Sequence, residues 1–176
     1  MEDHFSNSQV ETSELPSVAM LDLKGLHKDY LTAIMIRAII FWLLFSIPFI
    51  TFLFLNDKDY PGYFNYIALA FFLLIIVSRF LLIYLGFHKK KYALRERDIL
   101  YKAGFIWRSN TVIPFNRIQH AEVNQGPIER LFDLSMLRIF TAGGSASDMA
   151  IPGLRPDEAH QIKEFILSKT ASDEEE

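Results

Sequence analysis

The chain has 176 residues, of which 51% are hydrophobic and 14% aromatic, with no cysteine and a formal charge of −3. The missing cysteines exclude a disulfide framework, a thiolate metal site and a cysteine nucleophile. The weakly acidic balance leaves no strongly basic domain, which argues against nucleic-acid binding.

Acidic residues gather at both termini, and residues 1–30 read as a polar leader, disordered or partly ordered over 1–20. The run "LTAIMIRAIIFWLLFSIPFITFLFL" (31–55) is long enough to cross a hydrocarbon core about 30 Å thick, which needs about 20 helical residues. "YIALAFFLLIIVSRFLLIYLGF" (66–87) is a second run of similar length, and neither shows the polar face of a soluble core helix. The first run starts too far into the chain to resemble a signal peptide and lacks a cleavage site, so both spans are expected to persist. Pro48 is expected to kink the first helix rather than mark a transport path.

The link 56–65 carries Pro61-Gly62 as a turn signal and Lys58 as its one basic residue, whereas Lys24 and Lys28 precede the spans. Lys89, Lys90, Lys91, Arg95 and Arg97 follow them. The positive-inside rule then predicts a cell-membrane protein with both termini in the cytoplasm. Tyr60, Tyr63 and Tyr66 suit an outer interfacial belt, and Tyr30, Tyr84 and Tyr92 an inner one. Arg37 and Arg79 interrupt the spans at similar depth, about 9–12 Å below the cytoplasmic edge at 1.5 Å per residue. They are expected either to snorkel to headgroups or to form a paired cationic site for an anionic lipid or a partner's carboxylate.

Residues 88–169 change to short β-branched and aromatic runs. "YALRERDILYKAG" reads as two strands joined around Glu96-Arg97-Asp98, and "FIWRSNTVIPF" as a third with Trp107, Ser109, Thr111 and Ile113 on one side. "RIQHAEV", "MLRIFTA" and "DMAIP" read as further strands, with "PIERLFD" a helical turn opened by Pro127. "RPDEAHQIKEFILSK" reads as a closing helix whose Ala159, Ile162, Phe165 and Ile166 form an apolar stripe, and 170–176 as an acidic tail.

The order of these elements, with "RIQ…V…QGPIERLFDLSMLRIFTAG" as its most specific part, resembles the YdbS-like bacterial pleckstrin-homology (PH) family over about residues 30–168. The resemblance implies a membrane α-helical hairpin followed by a mostly-β PH-like partial barrel capped by a C-terminal α-helix. It implies no catalytic residue, cofactor or defined ligand. It also implies a membrane protein partner, such as a larger relative with repeated PH-like domains.

His120 and Glu122 share one face of a strand and form the one candidate acid/base or metal pair, but no third ligand follows at metal spacing. No P-loop or dinucleotide fingerprint occurs at Gly126-Pro127 or Gly143-Gly144, and Ser145 and Ser147 lack a nucleophile elbow. Glu129, Arg130 and Asp133 are expected to anchor the helical turn by local pairing and capping. No metal, cofactor or catalytic site is therefore expected. Binding remains: Arg37, Arg79, Lys89, Lys90 and Lys91 are candidate contacts for anionic lipid or a partner, with the lysines otherwise fixing topology. Phe105 and Trp107 are candidate interface anchors, with core packing as the alternative. Glu96 and Asp98 offset Arg95 and Arg97 on the first hairpin, which argues against an inositol-lipid site there. The expected function is non-catalytic binding or scaffolding in an oligomeric membrane assembly; the alternative is a sensor of anionic headgroups, and a lipid enzyme is third.

Overall fold

The computed structural model describes residues 22–55, 61–142 and 148–173. Lys58, Tyr60, Gly143-Gly144, Ser145, Ser147, the leader 1–20 and the last residues of the acidic tail lie outside them.

Two apolar helices dominate the first half, α1 (Lys28–Leu55) and α2 (Gly62–Phe87). Both are long and apolar enough to cross a membrane, and only 6% of each apolar window is buried within the chain. Their outward faces are Leu, Ile and Phe, which a bilayer solvates and water does not. The helices meet through aromatics: Phe72 stacks on Phe49 at 4.2 Å and meets Trp42 edge-on at 5.7 Å. α1 continues through Pro48.

The second half folds as two antiparallel sheets. β1 (Lys24–Gly25), β2 (Lys91–Leu94), β3 (Asp98–Ala103) and β4 (Ser109–Pro114) form the first in sequential order. A 3-10 turn (Phe115–Arg117) leads into the second sheet, β5 (Ile118–Asn124), β6 (Ser135–Thr141) and β7 (Met149–Leu154), with α3 (Pro127–Leu131) between its first two strands. Leu137 and Ile139, and Met149 and Ile151, are alternate residues that point into one core, and Ile118 and Ala121 join them across the register shift between Ile118 and His120. α4 (Pro156–Asp173) closes it, burying Ala159, Ile162 and Ile166 and setting Phe165 edge-on to Phe115 at 5.9 Å. Ser135 is buried in this core, and its hydroxyl donates to the Leu154 carbonyl at 3.3 Å.

Three expectations need correction. Trp107 does not lie on a strand: β4 starts at Ser109, and 105–108 form the turn after Gly104. α4 runs through Asp173, so the first residues of the expected tail are helical. Tyr30 and Tyr92 are not interfacial, being 4% and 3% exposed within the domain core.

That last point shows how the halves join. β1 pairs with β2, and Leu26, Tyr30 and Ala33 enter the core of the β domain. The His27 amide donates to the Gly153 carbonyl at 3.0 Å. Gly153 holds φ +67°, and a Cβ there would stand 2.5 Å from Cγ of Tyr30. The strand therefore turns its backbone to the ring, which only glycine allows. The residues just before the first span are thus part of the domain.

Glu158 pins the same corner. Its carboxylate accepts from Lys24 and from the Tyr92 hydroxyl at 2.5 Å. Burial pushes Glu158 up, but those bonds outweigh it and hold the carboxyl below its ordinary range. A depressed carboxylate contributes stability above its unfolded pKa and loses it as pH falls through the folded value. Glu158→Gln is expected to lower domain stability by about 1 kcal/mol at neutral pH. The difference from wild type should shrink as pH falls below about 4.3, the ordinary glutamate value, in thermal melts at stepped pH.

Candidate functional site

The two spans and the segment just after α2 line an open cleft of about 470 Å³ whose residues include Arg37, Arg79 and Lys90. Phe41, Trp42 and Ile83 are among its apolar walls. Each cation arrives from a different place: Arg37 from α1, Arg79 from α2, and Lys90 from the segment between α2 and β2. Antiparallel packing of the helices brings the two arginines together although they are far apart in sequence.

Arg37 donates to Glu129 of α3 at 3.3 Å, with the Arg37 side chain 54% exposed and that of Glu129 14%. Glu129 is placed by Gly126, where a Cβ would lie 2.3 Å from the Glu129 carboxylate. Local capping within the helical turn is therefore not what Glu129 does: it reaches a transmembrane helix. Asp133, at φ 51°, likewise leaves the turn and accepts from Arg155 at 3.0 Å. Among the described residues no carboxylate pairs with Arg79. Lys90 lies 5.3 Å from the centre of the Tyr30 ring. Burial, and then the charge of Arg37, pull its pKa below the ordinary lysine value of 10.5. Three cations and one carboxylate leave two positive charges uncompensated.

A folded β domain does not pack against a helix inside hydrocarbon. Tyr30 and Ala33 are in the domain core and Arg37 pairs with α3, so the domain packs against the first turns of α1. From Arg37 to Leu55 a helix rises about 27 Å, and from Gly62 to Arg79 about 26 Å. Both lengths match a hydrocarbon core of about 30 Å. Each span is thus long enough on the far side of its arginine to cross such a core.

The other candidates separate. Lys89 and Lys91 are exposed and do not line the cleft, so the lysine run divides into one cleft residue and two surface residues. Trp107 is 88% exposed and Phe105 39%, which rules out core packing for the tryptophan. His120 and Glu122 approach to 3.6 Å with side chains about half exposed, and His120 stacks on Phe140 at 4.2 Å. They stand on open sheet surface. No cluster of three metal-ligating side chains occurs among the described residues. At the first hairpin, Arg95 pairs with Asp98 through two nitrogens, so a phosphate there would compete with a bidentate carboxylate.

Sequence reasoning missed the partners of Glu129 and Tyr30, which it read as a local anchor and an interfacial tyrosine. Glu129 lies 92 positions from Arg37, and no local pattern couples them.

Two membrane-capable helices, a seven-stranded antiparallel domain and a closing helix are what comparison with known proteins must match. The family described as bacterial PH domain matches residues 18–170. The chain belongs to the bacterial PH domain family. That match begins before the first span, as the docking of 24–33 onto the PH domain requires. The transmembrane protein YdbS of Bacillus subtilis (strain 168) is 28% identical over 86 residues, 48% of this chain and 52% of that protein. The chain thus matches about half the length of this curated relative. No solved structure matches. The protein is a membrane protein with a PH-like domain.

Proposed function

We propose that this bacterial PH protein is a non-catalytic binding module that holds an anionic phospholipid headgroup between its spans, at the face of the cell membrane where its PH domain lies. The gathering of Arg37, Arg79 and Lys90 around one apolar-walled cleft carries this reading. A phosphodiester supplies the missing negative charge and accepts the guanidinium donors, while acyl chains run along the outward faces of α1 and α2. Lys24, Lys28, Lys89 and Lys91 support a cytoplasmic domain with both termini on that side.

Native mass spectrometry of the full-length protein in mixed phosphatidylglycerol and phosphatidylcholine tests the proposal. Wild type is expected to retain phosphatidylglycerol selectively, and Arg79→Leu to lose about fivefold in that retention, since one cation near the surface contributes about 1 kcal/mol. Equal retention by both proteins would sink the reading.

A second reading, assembly with another membrane protein such as a larger relative bearing repeated PH-like domains, or with further copies of this chain, has its own support. Among the described residues β4 pairs only with β3, which leaves its outer edge available for strand addition. Gentle purification that recovers a stoichiometric membrane protein, lost on introducing proline at Val112, would favour that reading over the lipid one.

A further inference from the structure

The turn between β3 and β4 carries three consecutive apolar residues that the described residues leave exposed. Phe105 is 39% exposed, Ile106 67% and Trp107 88%. Such a run on a hairpin tip calls for a partner surface.

The strand register identifies its direction. β1 ends at Gly25, just before α1, and β2 begins at Lys91, just after α2, and these two residues face each other. The end of the first sheet at Gly25 and Lys91 is therefore the end joined to the spans. Lys91 is also opposite Lys102 on β3, and Ala103 is opposite Ser109 on β4. The tip 104–108 thus projects beyond the Lys91–Lys102 pair at that same end, toward the bilayer. The turn at 95–97 lies at the other end.

Charge points to the same surface. Lys89, Lys91, Lys102 and Arg108 stand on or beside this end, and no acidic residue occurs from Ile99 through Ala121. Aromatic and aliphatic side chains ringed by cations suit the boundary between headgroups and acyl chains of an anionic leaflet. Tryptophan favours that boundary because its ring is apolar and its N–H polar.

We propose that residues 105–108 form a third membrane contact, in which Phe105, Ile106 and Trp107 enter the headgroup–acyl boundary of an anionic bilayer while Lys102 and Arg108 meet its phosphates. The PH domain is then held at two points, by its spans and by this tip, with one orientation on the membrane. The inference does not rest on the cleft, and neither Arg37 nor Arg79 takes part in it.

The chain has no cysteine, so Ile106→Cys accepts a single spin label. The full-length protein is placed in nanodiscs of phosphatidylglycerol and phosphatidylcholine, with Arg97→Cys as the aqueous reference and Phe54→Cys as the bilayer reference. The label at 106 is expected to be more accessible to oxygen than to a water-soluble nickel chelate, as at 54 and opposite to 97. This preference should weaken when phosphatidylglycerol is omitted. A label that follows position 97 overturns the proposal. So does one shielded from both reagents, which would mean that protein covers the tip. Should Ile106→Cys fail to assemble, Trp42→Phe leaves Trp107 as the sole indole. Quenching of Trp107 by brominated lipid supports the contact, and quenching by aqueous iodide alone contradicts it.

Discussion

Replacing Gly153 with alanine is expected to detach the base of α1 from the PH domain. The left-handed backbone at φ +67° costs a residue with a Cβ about 1–2 kcal/mol. The methyl group also meets the Tyr30 ring, buried at 4% exposure, which has no room to retreat. Overpacking of this kind adds about 1–3 kcal/mol. A loss of about 3 kcal/mol should lower the domain's melting midpoint by more than 10 °C, on the scaling for domains of this size. Because strain and clash arise from separate causes, a double-mutant cycle resolves them. Tyr30→Ala alone removes a buried aromatic and should cost about 3–5 kcal/mol. Removing the ring takes away the contacts with Cγ and Cδ1 but leaves the residue-30 Cβ 2.6 Å from the added methyl, so part of the clash is relieved and the double variant should be more stable than the sum of the two losses predicts. Strict additivity would show that Gly153 and Tyr30 do not form the joint between span and domain.

Charge removal at Glu129 should act in the opposite direction on stability and on binding. Glu129→Gln keeps the shape of the side chain and its place against Gly126, but leaves Arg37 without its carboxylate beside Arg79 and Lys90. Without lipid, three uncompensated cations share one cleft, and the protein should be less stable in neutral detergent. With phosphatidylglycerol present, the cleft has gained one unit of positive charge. Partial screening at the exposed arginine reduces the Coulomb gain to about 1.4 kcal/mol, or about tenfold in affinity. Lipid-dependent melting shifts report both effects in one experiment. Weaker binding by Glu129→Gln would mean that the carboxylate, rather than the cations, faces the ligand.

Much of this architecture is legible in the residues. The spans announce themselves by unbroken apolar runs, and β5, β6 and β7 by alternation that the solvent boundary enforces. The stripe of Ala159, Ile162 and Ile166 marks the buried face of α4 because a helix repeats every 3.6 residues. The tip at 105–107 is partly legible: Phe105 and Trp107 stand out as candidate anchors, but Trp107 continues the one-sided spacing of Ser109, Thr111 and Ile113, which hides that it lies in the turn before β4. β1 has two residues, too few for any period. Tyr30 before an apolar run looks like an interfacial anchor, and only its contact with Gly153, 123 positions away, shows otherwise. The cleft was half legible: Arg37 and Arg79 are conspicuous as charges in apolar runs, and Lys90 belongs to the lysine run that follows them. Which of the lysines joins them, and that Glu129 answers Arg37, depends on how the sheets fold back upon the helices. Such long-range pairings have no local signature.

The most direct measurement is cross-linking of full-length protein to a phosphatidylglycerol carrying a photoreactive headgroup, followed by peptide mapping. Labelling concentrated on the cleft-lining segments around Arg37 and Arg79–Lys90, competed by unlabelled phosphatidylglycerol and not by phosphatidylcholine, is the predicted result. Labelling spread evenly along the outward faces of α1 and α2, with the same pattern for a zwitterionic probe, would contradict a headgroup site between the spans.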